Sequence, residues 1–166
     1  EFAFRTVQIM GIARSGEGGK LENIVEETDG STLIAMTKYV ASSTSSGNCE
    51  DVFLDNENSW TAGASSAGSP NFLISTMTKK TEIRAITVKL WEKNKRPRGT
   101  KVQASTDGKT WTDLYTIEDI GTEETMERTV YLNDTTQYSF IRLVQREDLA
   151  TYDWTLNSVL IYGIES

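Results

Sequence analysis

A stretch of ten residues, 102–111 (VQASTDGKTW), most constrains what this 166-residue chain can fold into. Apolar and polar residues alternate over residues 102–106, which is the two-residue period of a strand with one buried face. Asp107-Gly108 follows, and this dipeptide predicts a tight type I′ turn because glycine accepts a positive φ. Trp111 then falls where a large apolar side chain would anchor the returning strand in the core. The stretch predicts an antiparallel β-hairpin.

Short segments of similar character recur along the chain, separated by polar or glycine-rich loops, without a long helix or an internal repeat. Eight or nine such strands are typical of an all-β, antiparallel, jelly-roll-like β-sandwich. The length suits a single domain over residues 1–166. The predicted strands lie at residues 2–12, within 21–36, and at 72–77, 83–91, 102–106, 110–117, 128–132, 138–145 and 156–162.

The charge of the chain disfavours two classes of partner. A net charge of −7 and a pI near 4.7 argue against nucleic acid and anionic membrane surfaces, which attract basic proteins. No apolar run approaches the roughly 20 residues of a membrane-spanning helix, so we expect no membrane insertion. A local basic stretch at residues 93–101 is either a solvated loop or a phosphate or sulfate site.

Missing residue types restrict the chemistry further. The chain has no histidine and one cysteine, Cys49, which excludes Ser-His-Asp triads, Cys-His pairs, intrachain disulfides and cysteine-based zinc sites. Paired carboxylates are the remaining catalytic device, and Asp148 with Asp153, or Glu123 with Glu124, could flank a glycosidic bond. Acidic loops are more often simply solvated, so we expect no catalytic residues.

Four blocks carry a family resemblance: residues 52–60 (VFLDNENSW), 72–90 (FLISTMTKKTEIRAITVKL), 101–111 (KVQASTDGKTW), and 138–145 (YSFIRLVQ) with 156–163 (LNSVLIYG). In their order and spacing they resemble the discoidin or coagulation factor V/VIII type C domain group, which includes the family 32 carbohydrate-binding modules. The resemblance covers residues 39–163 and implies a galactose-binding-domain-like sandwich that binds glycans through loops at one end. Residues 1–36 are then an N-terminal strand extension outside this core.

The resemblance also implies which residues would hold the glycan. In carbohydrate-binding members an aromatic residue just before the last strand stacks on the sugar, and Trp154 matches it. An Arg and an Asn after the isoleucine-valine strand bond the sugar hydroxyls, and Arg96 and Asn94 match them. An exposed ring flanked by planar hydrogen-bonding groups suits a pyranose, which has a C–H face and a hydroxyl rim. Trp154, Tyr152, Asp153 and Arg96 supply both kinds of group, and the resemblance makes Tyr39 and the turn before Trp60 the other walls of the site.

Structural explanations stand beside these assignments. Trp154 lies in a polar segment, 146–155, so a ring that caps the end of the sandwich is the alternative to a ligand contact. Arg96, beside Pro97, is equally well explained as part of a solvated loop. The other three tryptophans, Trp60, Trp91 and Trp111, are expected in the core.

A structural calcium ion is a further implication of the resemblance, held by a turn carboxylate and a glutamate of the last strand. Here the turn reads Leu54-Asp55, and Ser158 and Leu160 stand at the glutamate positions. Calcium takes about six to eight oxygens, several of them charged. We therefore expect no metal and no cofactor, with calcium binding weak at most. The remnant of the calcium turn would be Asp55, Asn56 and Asn58.

Three functions follow, of which the first is favoured: a non-catalytic carbohydrate-binding or adhesion module of a larger extracellular, cell-surface or virion protein. The chain starts at Glu1 rather than methionine, which fits a processed form or an excised piece. The alternative is a protein–protein interaction or assembly module on the same fold, to which the N-terminal strand would contribute. The third is a glycosidase-associated catalytic domain.

Overall fold

The computed structural model describes residues 6–9, 25–28, 30–90, 97–118 and 125–166. These residues form twelve strands and two short 3₁₀ helices, Cys49–Phe53 and Glu147–Leu149. β1 and β2 pair with each other. The strands are β1 (Thr6–Ile9), β2 (Val25–Thr28), β3 (Thr32–Leu33), β4 (Met36–Ala41), β5 (Trp60–Ala62), β6 (Phe72–Leu90), β7 (Lys101–Ser105), β8 (Thr112–Thr116), β9 (Met126–Tyr131), β10 (Gln137–Val144), β11 (Trp154–Leu156) and β12 (Ser158–Glu165).

One strand contributes to both layers of the fold. β6 is 19 residues long and replaces the two separate strands that the sequence predicts at residues 72–77 and 83–91. The first part of β6 pairs with β4 and β10, and its last part pairs with β12 and β9. Three exposed polar residues, 78–80, interrupt the apolar alternation, but the backbone stays extended through them. That interruption is why the sequence predicts two strands.

The core lies between the two sets of strands that β6 connects. Leu73 and Leu143 come from the set built on the first part of β6, and Ile86 and Ile161 from the other set. All four belong to one cluster of buried apolar side chains. The two sets therefore pack face to face, which confirms the all-β antiparallel sandwich, although the described residues contain more strands than the eight or nine expected.

The predicted hairpin forms, but its turn differs from the expectation. β7 ends at Ser105, and residues 106–111 connect it to β8. Gly108 has a φ of +74°, whereas Asp107 has no positive φ, so the two-residue type I′ turn is wrong. The Asp107 carboxylate accepts two backbone N–H groups at 2.8 and 2.9 Å, and the Ser105 hydroxyl accepts two more. The backbone N–H groups of Thr110 and Lys109, followed by the Ser105 hydroxyl, lower the pKa of Asp107.

The tryptophans divide differently from the sequence expectation. Trp60 is buried, as predicted, whereas Trp111 is half-buried and lies outside the core cluster. The guanidinium of Arg142 lies 4.4 Å above the centroid of the Trp111 ring. Because Arg142 alternates with core residues of β10, Trp111 is on the outer face of the sheet, and its expected core position is wrong. Trp91 lies outside the described residues.

Candidate functional site

Trp154, expected on an exposed loop, is a core residue. It begins β11, which pairs with β5, and its side chain is 0% exposed. Its indole N–H donates to Oγ1 of Thr100 at 2.9 Å, and its ring meets Trp60 edge-on with centroids 5.5 Å apart. A ring without an exposed face cannot stack on a sugar, so the stacking role expected for Trp154 is wrong. β11 has just three residues, too few to give a recognisable alternation.

Tyr39 is also separated from the residues with which it was expected to form a site. Its ring packs against Phe53 with centroids 6.1 Å apart, and its hydroxyl donates to the carbonyl of Met36 at 3.2 Å. Tyr39 lines an apolar hollow of about 200 Å³, to which neither Tyr152 nor Asp153 contributes. Burial raises the pKa of Tyr39. The structure therefore does not support Tyr39 as a wall of the predicted site.

Tyr152 and Asp153 do lie at the loop end, as predicted. Tyr152 is 45% exposed. Oδ1 of Asp153 accepts the backbone N–H of Ala64 at 3.0 Å, which ties the segment before β11 to the loop between β5 and β6. Ala64 lines an adjacent polar depression of about 400 Å³. We call this depression the serine hollow; its lining includes Ser42, Ser43, Ala64, Ser65, Asn71 and Phe72. Asn94 and Arg96 lie outside the described residues and stay predictions.

Asn71 connects two of the loops at this end. Its side chain is almost fully buried, at 2% exposure. Oδ1 of Asn71 accepts the hydroxyls of Ser42 and Ser43 at 2.7 and 3.2 Å. Nδ2 donates to the carbonyl of Gly63 at 2.7 Å and to Oε1 of Gln145 at 3.0 Å. Both polar atoms of the amide are thus satisfied by loops that are distant in sequence.

Gln145 extends this network to the third loop. Its Nε2 donates to the carbonyls of Leu149 and Tyr152 at 2.8 and 3.0 Å. The backbone that presents the Tyr152 ring is therefore held through Gln145 to Asn71 and from there to the two serines. A buried and fully bonded polar network of this kind keeps its loops in one arrangement before a ligand arrives.

A second hollow of about 400 Å³ adjoins the serine hollow and shares Pro70 and Phe72 with it. It lies on the outer face of the sheet, where β6, β10 and β7 run side by side. We call it the outer-face groove. The sequence analysis missed this surface, since the register between strands decides which side chains meet. Its principal lining residues are Phe72, Lys101, Gln103, Arg142, Val144 and Arg146.

Hydrogen bonds and a ring contact orient Arg142 in the outer-face groove. Nε of Arg142 donates to Oε1 of Gln103 at 2.7 Å, and Nε2 of Gln103 donates to Oδ1 of Asp113 at 2.6 Å. The hydrogen bond from Gln103 lowers the pKa of Asp113. The only sequence signal for Arg142 is its place between Ile141 and Leu143, which turns a charged side chain to the outer face of a strand.

The carboxylates that were considered for catalysis have structural partners. Oδ1 of Asp148 pairs with Nε of Arg146 at 2.6 Å, and Asp153 holds the backbone of Ala64. Glu123 and Glu124 lie outside the described residues. The described carboxylates therefore give no evidence for a catalytic pair.

The turn that would hold calcium is closed by groups of the protein itself. Nζ of Lys89 lies 2.8 Å from Oδ1 of Asp55, and this hydrogen bond raises the pKa of Lys89. The Ser158 hydroxyl lies 2.8 Å from the carbonyl oxygen of Leu54 and 3.3 Å from that of Asn56. The Lys89 ammonium thus offsets the charge of the Asp55 carboxylate, and the uncharged Ser158 stands where a glutamate would be, so these residues offer a calcium ion little negative charge.

The remaining amides of this turn point to Asp51 instead. Nδ2 of Asn56 and Nδ2 of Asn58 donate to its two carboxylate oxygens, each at 3.2 Å. Within the described ranges, no cluster of three or more His, Cys, Asp or Glu residues could hold a metal ion. The turn is a hydrogen-bonded unit in which Lys89 supplies the positive charge.

We expect the midpoint of thermal unfolding to be the same in millimolar calcium chloride and in EDTA. A calcium site at a hundredfold saturation would stabilise the fold by about 2.7 kcal/mol, which is readily detected. Differential scanning fluorimetry in the two buffers measures this, with magnesium chloride of equal ionic strength as the control. A calcium-specific rise in the midpoint would contradict the assignment of Lys89 and Ser158 as the groups that close the turn.

Among the helices in the part of the chain that the structure describes, none combines the length and the apolar character needed to cross a membrane.

The comparisons with known proteins agree with this architecture. No curated protein matches the chain by sequence. A fucose-binding module of Streptococcus pneumoniae superposes with a TM-score of 0.62 at 15% identity, over 81% of this chain and 99% of that chain. A pectin-binding carbohydrate-binding module gives a TM-score of 0.57 at 16% identity, over 77% and 91%.

A truncated AlyQ with CBM32 and alginate lyase domains gives a TM-score of 0.60 at 16% identity, over 82% of this chain. The chain spans about a third, 34%, of the length of that protein. At these identities the solved structures show the shared fold. The family model for the F5/8 type C domain matches residues 38–159, most of the sequence. The chain therefore belongs to the F5/8 type C domain family.

Proposed function

We propose that this chain is a non-catalytic carbohydrate-binding module that holds a glycan at its loop end. The observation that carries the proposal is the Tyr152 ring, which is 45% exposed on a loop fixed by buried hydrogen bonds. A large ring on a fixed loop gives the C–H face of a pyranose a stacking surface and leaves little loop entropy to lose on binding. The adjacent serine hollow offers space for the rest of the sugar.

The proposal draws support from the family and from proteins of the same fold. The similar structures include modules described as binding fucose and pectin. The absence of histidine and of a described carboxylate pair favours binding over hydrolysis. The extracellular location, the adhesion role and the protein-interaction alternative stay predictions.

Replacing Tyr152 with alanine should weaken glycan binding about tenfold or more while leaving the fold intact, because the ring is exposed and stacking surfaces dominate such sites. A glycan array identifies the ligand, and calorimetry with that ligand measures the change in affinity. Tyr131→Ala is the matched control, since Tyr131 on β9 is 42% exposed and lies outside both hollows. Unchanged affinity in the Tyr152→Ala variant, or an array without any bound glycan, would contradict the proposal.

A further inference from the structure

The register of the strands concentrates basic side chains in the outer-face groove. Arg142 on β10 lies opposite Gln103 on β7, and the next pair on that face is Val144 opposite Lys101. Residues two apart on a strand share a face, and diagonal neighbours on adjacent strands lie within reach of long side chains. Arg142 and Lys101 therefore flank one patch of the sheet.

The floor of this patch is apolar. Phe72 on β6 lies opposite Val144, and both face outward because they alternate with buried neighbours. One end of the groove is formed by Arg146, whose aliphatic stem passes over Gly99. A Cβ on Gly99 would stand 2.4 Å from Cδ of Arg146, and its φ of +75° also favours glycine. The groove thus combines an apolar floor with walls that carry three cationic side chains, from Lys101, Arg142 and Arg146, and one carboxylate, from Glu147.

Arg142 is oriented by protein contacts on one side and open on the other. Nε is bonded to Gln103, and the guanidinium lies over the Trp111 ring. Among the described residues, its two terminal nitrogens have no hydrogen-bond partner. A guanidinium held in one orientation with an open edge matches a planar group with two oxygens, such as a carboxylate.

The balance of charges favours the same ligand group. Lys101 lies 3.5 Å from Asp113, and Arg146 pairs with Asp148. Arg142, in contrast, has no carboxylate within 4.0 Å among the described residues, and Asp113 acts on its guanidinium from a longer distance. The chain as a whole carries a net charge of −7, which repels long polyanions. A short ligand with a single carboxylate at this point avoids most of that repulsion.

We propose that the outer-face groove binds an acidic sugar, with the carboxylate of a uronic acid on the terminal nitrogens of Arg142. The C–H face of the same pyranose would lie on Phe72 and Val144, and Lys101 would supply the second positive charge. This inference rests on the proposed carbohydrate-binding function and extends it to a surface separate from Tyr152. It makes short oligosaccharides that contain uronic acids the preferred ligand class.

The test compares acidic oligosaccharides with their neutral methyl esters. Short oligosaccharides with a single galacturonate, mannuronate or glucuronate residue are titrated calorimetrically into the full chain, each beside its methyl ester of equal length. Wild-type protein should bind at least one acid form about tenfold more tightly than its ester, as a charge-assisted contact would give. Arg142→Gln should bring the two affinities close to equality, and Lys101→Gln should reduce the difference.

Lys80→Gln is the charge-matched control, because Lys80 is exposed in the middle of β6 and outside the groove. It should keep the wild-type preference. The midpoints of thermal unfolding show whether the variants are folded. If Arg142→Gln is unstable, Lys101→Gln replaces it as the test variant, since the side chain of Lys101 is 51% exposed.

The outcomes distinguish a failure of the groove inference from a failure of the proposed carbohydrate-binding function. Equal affinity of wild-type protein for acid and ester overturns the groove inference and leaves carbohydrate binding standing. An undiminished acid preference in the Arg142 and Lys101 variants also overturns it. Binding of sulfated oligosaccharides in place of uronates overturns the assignment of a carboxylate. Absence of binding to any glycan, acidic or neutral, overturns the proposed function and the groove inference together.

Discussion

Replacing Trp154 with alanine should lower the free energy of unfolding by about 3–5 kcal/mol, the range for a large aromatic side chain removed from a core. The ring is 0% exposed, stacks edge-on against Trp60 and bonds Thr100. Its removal leaves a cavity in the core beside Trp60 and deprives the Thr100 hydroxyl of its donor. A domain of ordinary stability has about 5–15 kcal/mol in total, so much of this variant should be unfolded at moderate temperature.

Urea denaturation followed by fluorescence measures this loss. Trp111→Ala is the matched control, because Trp111 is half-buried and outside the core cluster. The free energy of unfolding of Trp111→Ala should fall by about 0.5–1 kcal/mol for the lost contact with Arg142, plus a modest contribution from the burial of the ring. Equal midpoints for the two variants would show that Trp154 does not fill the core. Any loss of glycan binding in Trp154→Ala would reflect unfolding rather than a missing ligand contact.

Replacing Asn71 with alanine should lower the free energy of unfolding by about 1–3 kcal/mol, because the buried amide loses its hydrogen bonds to Gln145 and to the Gly63 carbonyl. The Gly63 carbonyl and the Ser42 and Ser43 hydroxyls would be left without the amide. Oε1 of Gln145 would lose its side-chain donor and keep the backbone N–H of Asn71, at 3.3 Å. The variant should therefore be less stable and its loop end less ordered.

Hydrogen exchange distinguishes a loss of global stability from a local loss of order at the loop end. In Asn71→Ala, the backbone amides of residues 63–71 and 145–152 should exchange faster than in the wild-type protein, because the loops open without global unfolding. The amides of β7 and β10 should change less. Asn133→Ala is the control, since Asn133 is exposed on the loop between β9 and β10. Uniform protection across the loop end in the Asn71 variant would show that the amide network does not hold these loops.

Most of the fold could be predicted because its signals are local. Alternation over residues 102–106 and the family blocks gave the antiparallel sandwich, and the described strands follow them closely. The features that the sequence did not predict depend on contacts with partner strands and with other side chains. Residues 78–80 interrupt the alternation, yet ladders with partner strands on either side keep β6 continuous. The hairpin loop is set by side chains that bond the backbone, which a dipeptide signal does not reveal.

The positions of the candidate site residues could be predicted only in part for the same reason, and their role in binding stays a prediction. Tyr152 and Asp153 lie at the loop end, whereas Trp154 and Tyr39 turn toward the interior. Polar neighbours made Trp154 resemble a loop residue, but the pairing of β11 with β5 buries it. Arg142 could not be singled out from the sequence, because its orientation depends on Gln103 and on Trp111, which lie outside its own strand.

The continuity of β6 also determines how cooperatively the domain unfolds. The 19-residue strand β6 is a central member of both sets of strands. If one set unfolds, the other therefore loses a hydrogen-bonding partner. Neither half can persist as a stable subdomain, so unfolding should be cooperative and all-or-none. The two sets of strands should therefore be lost together, whereas the loops at their end can still open on their own.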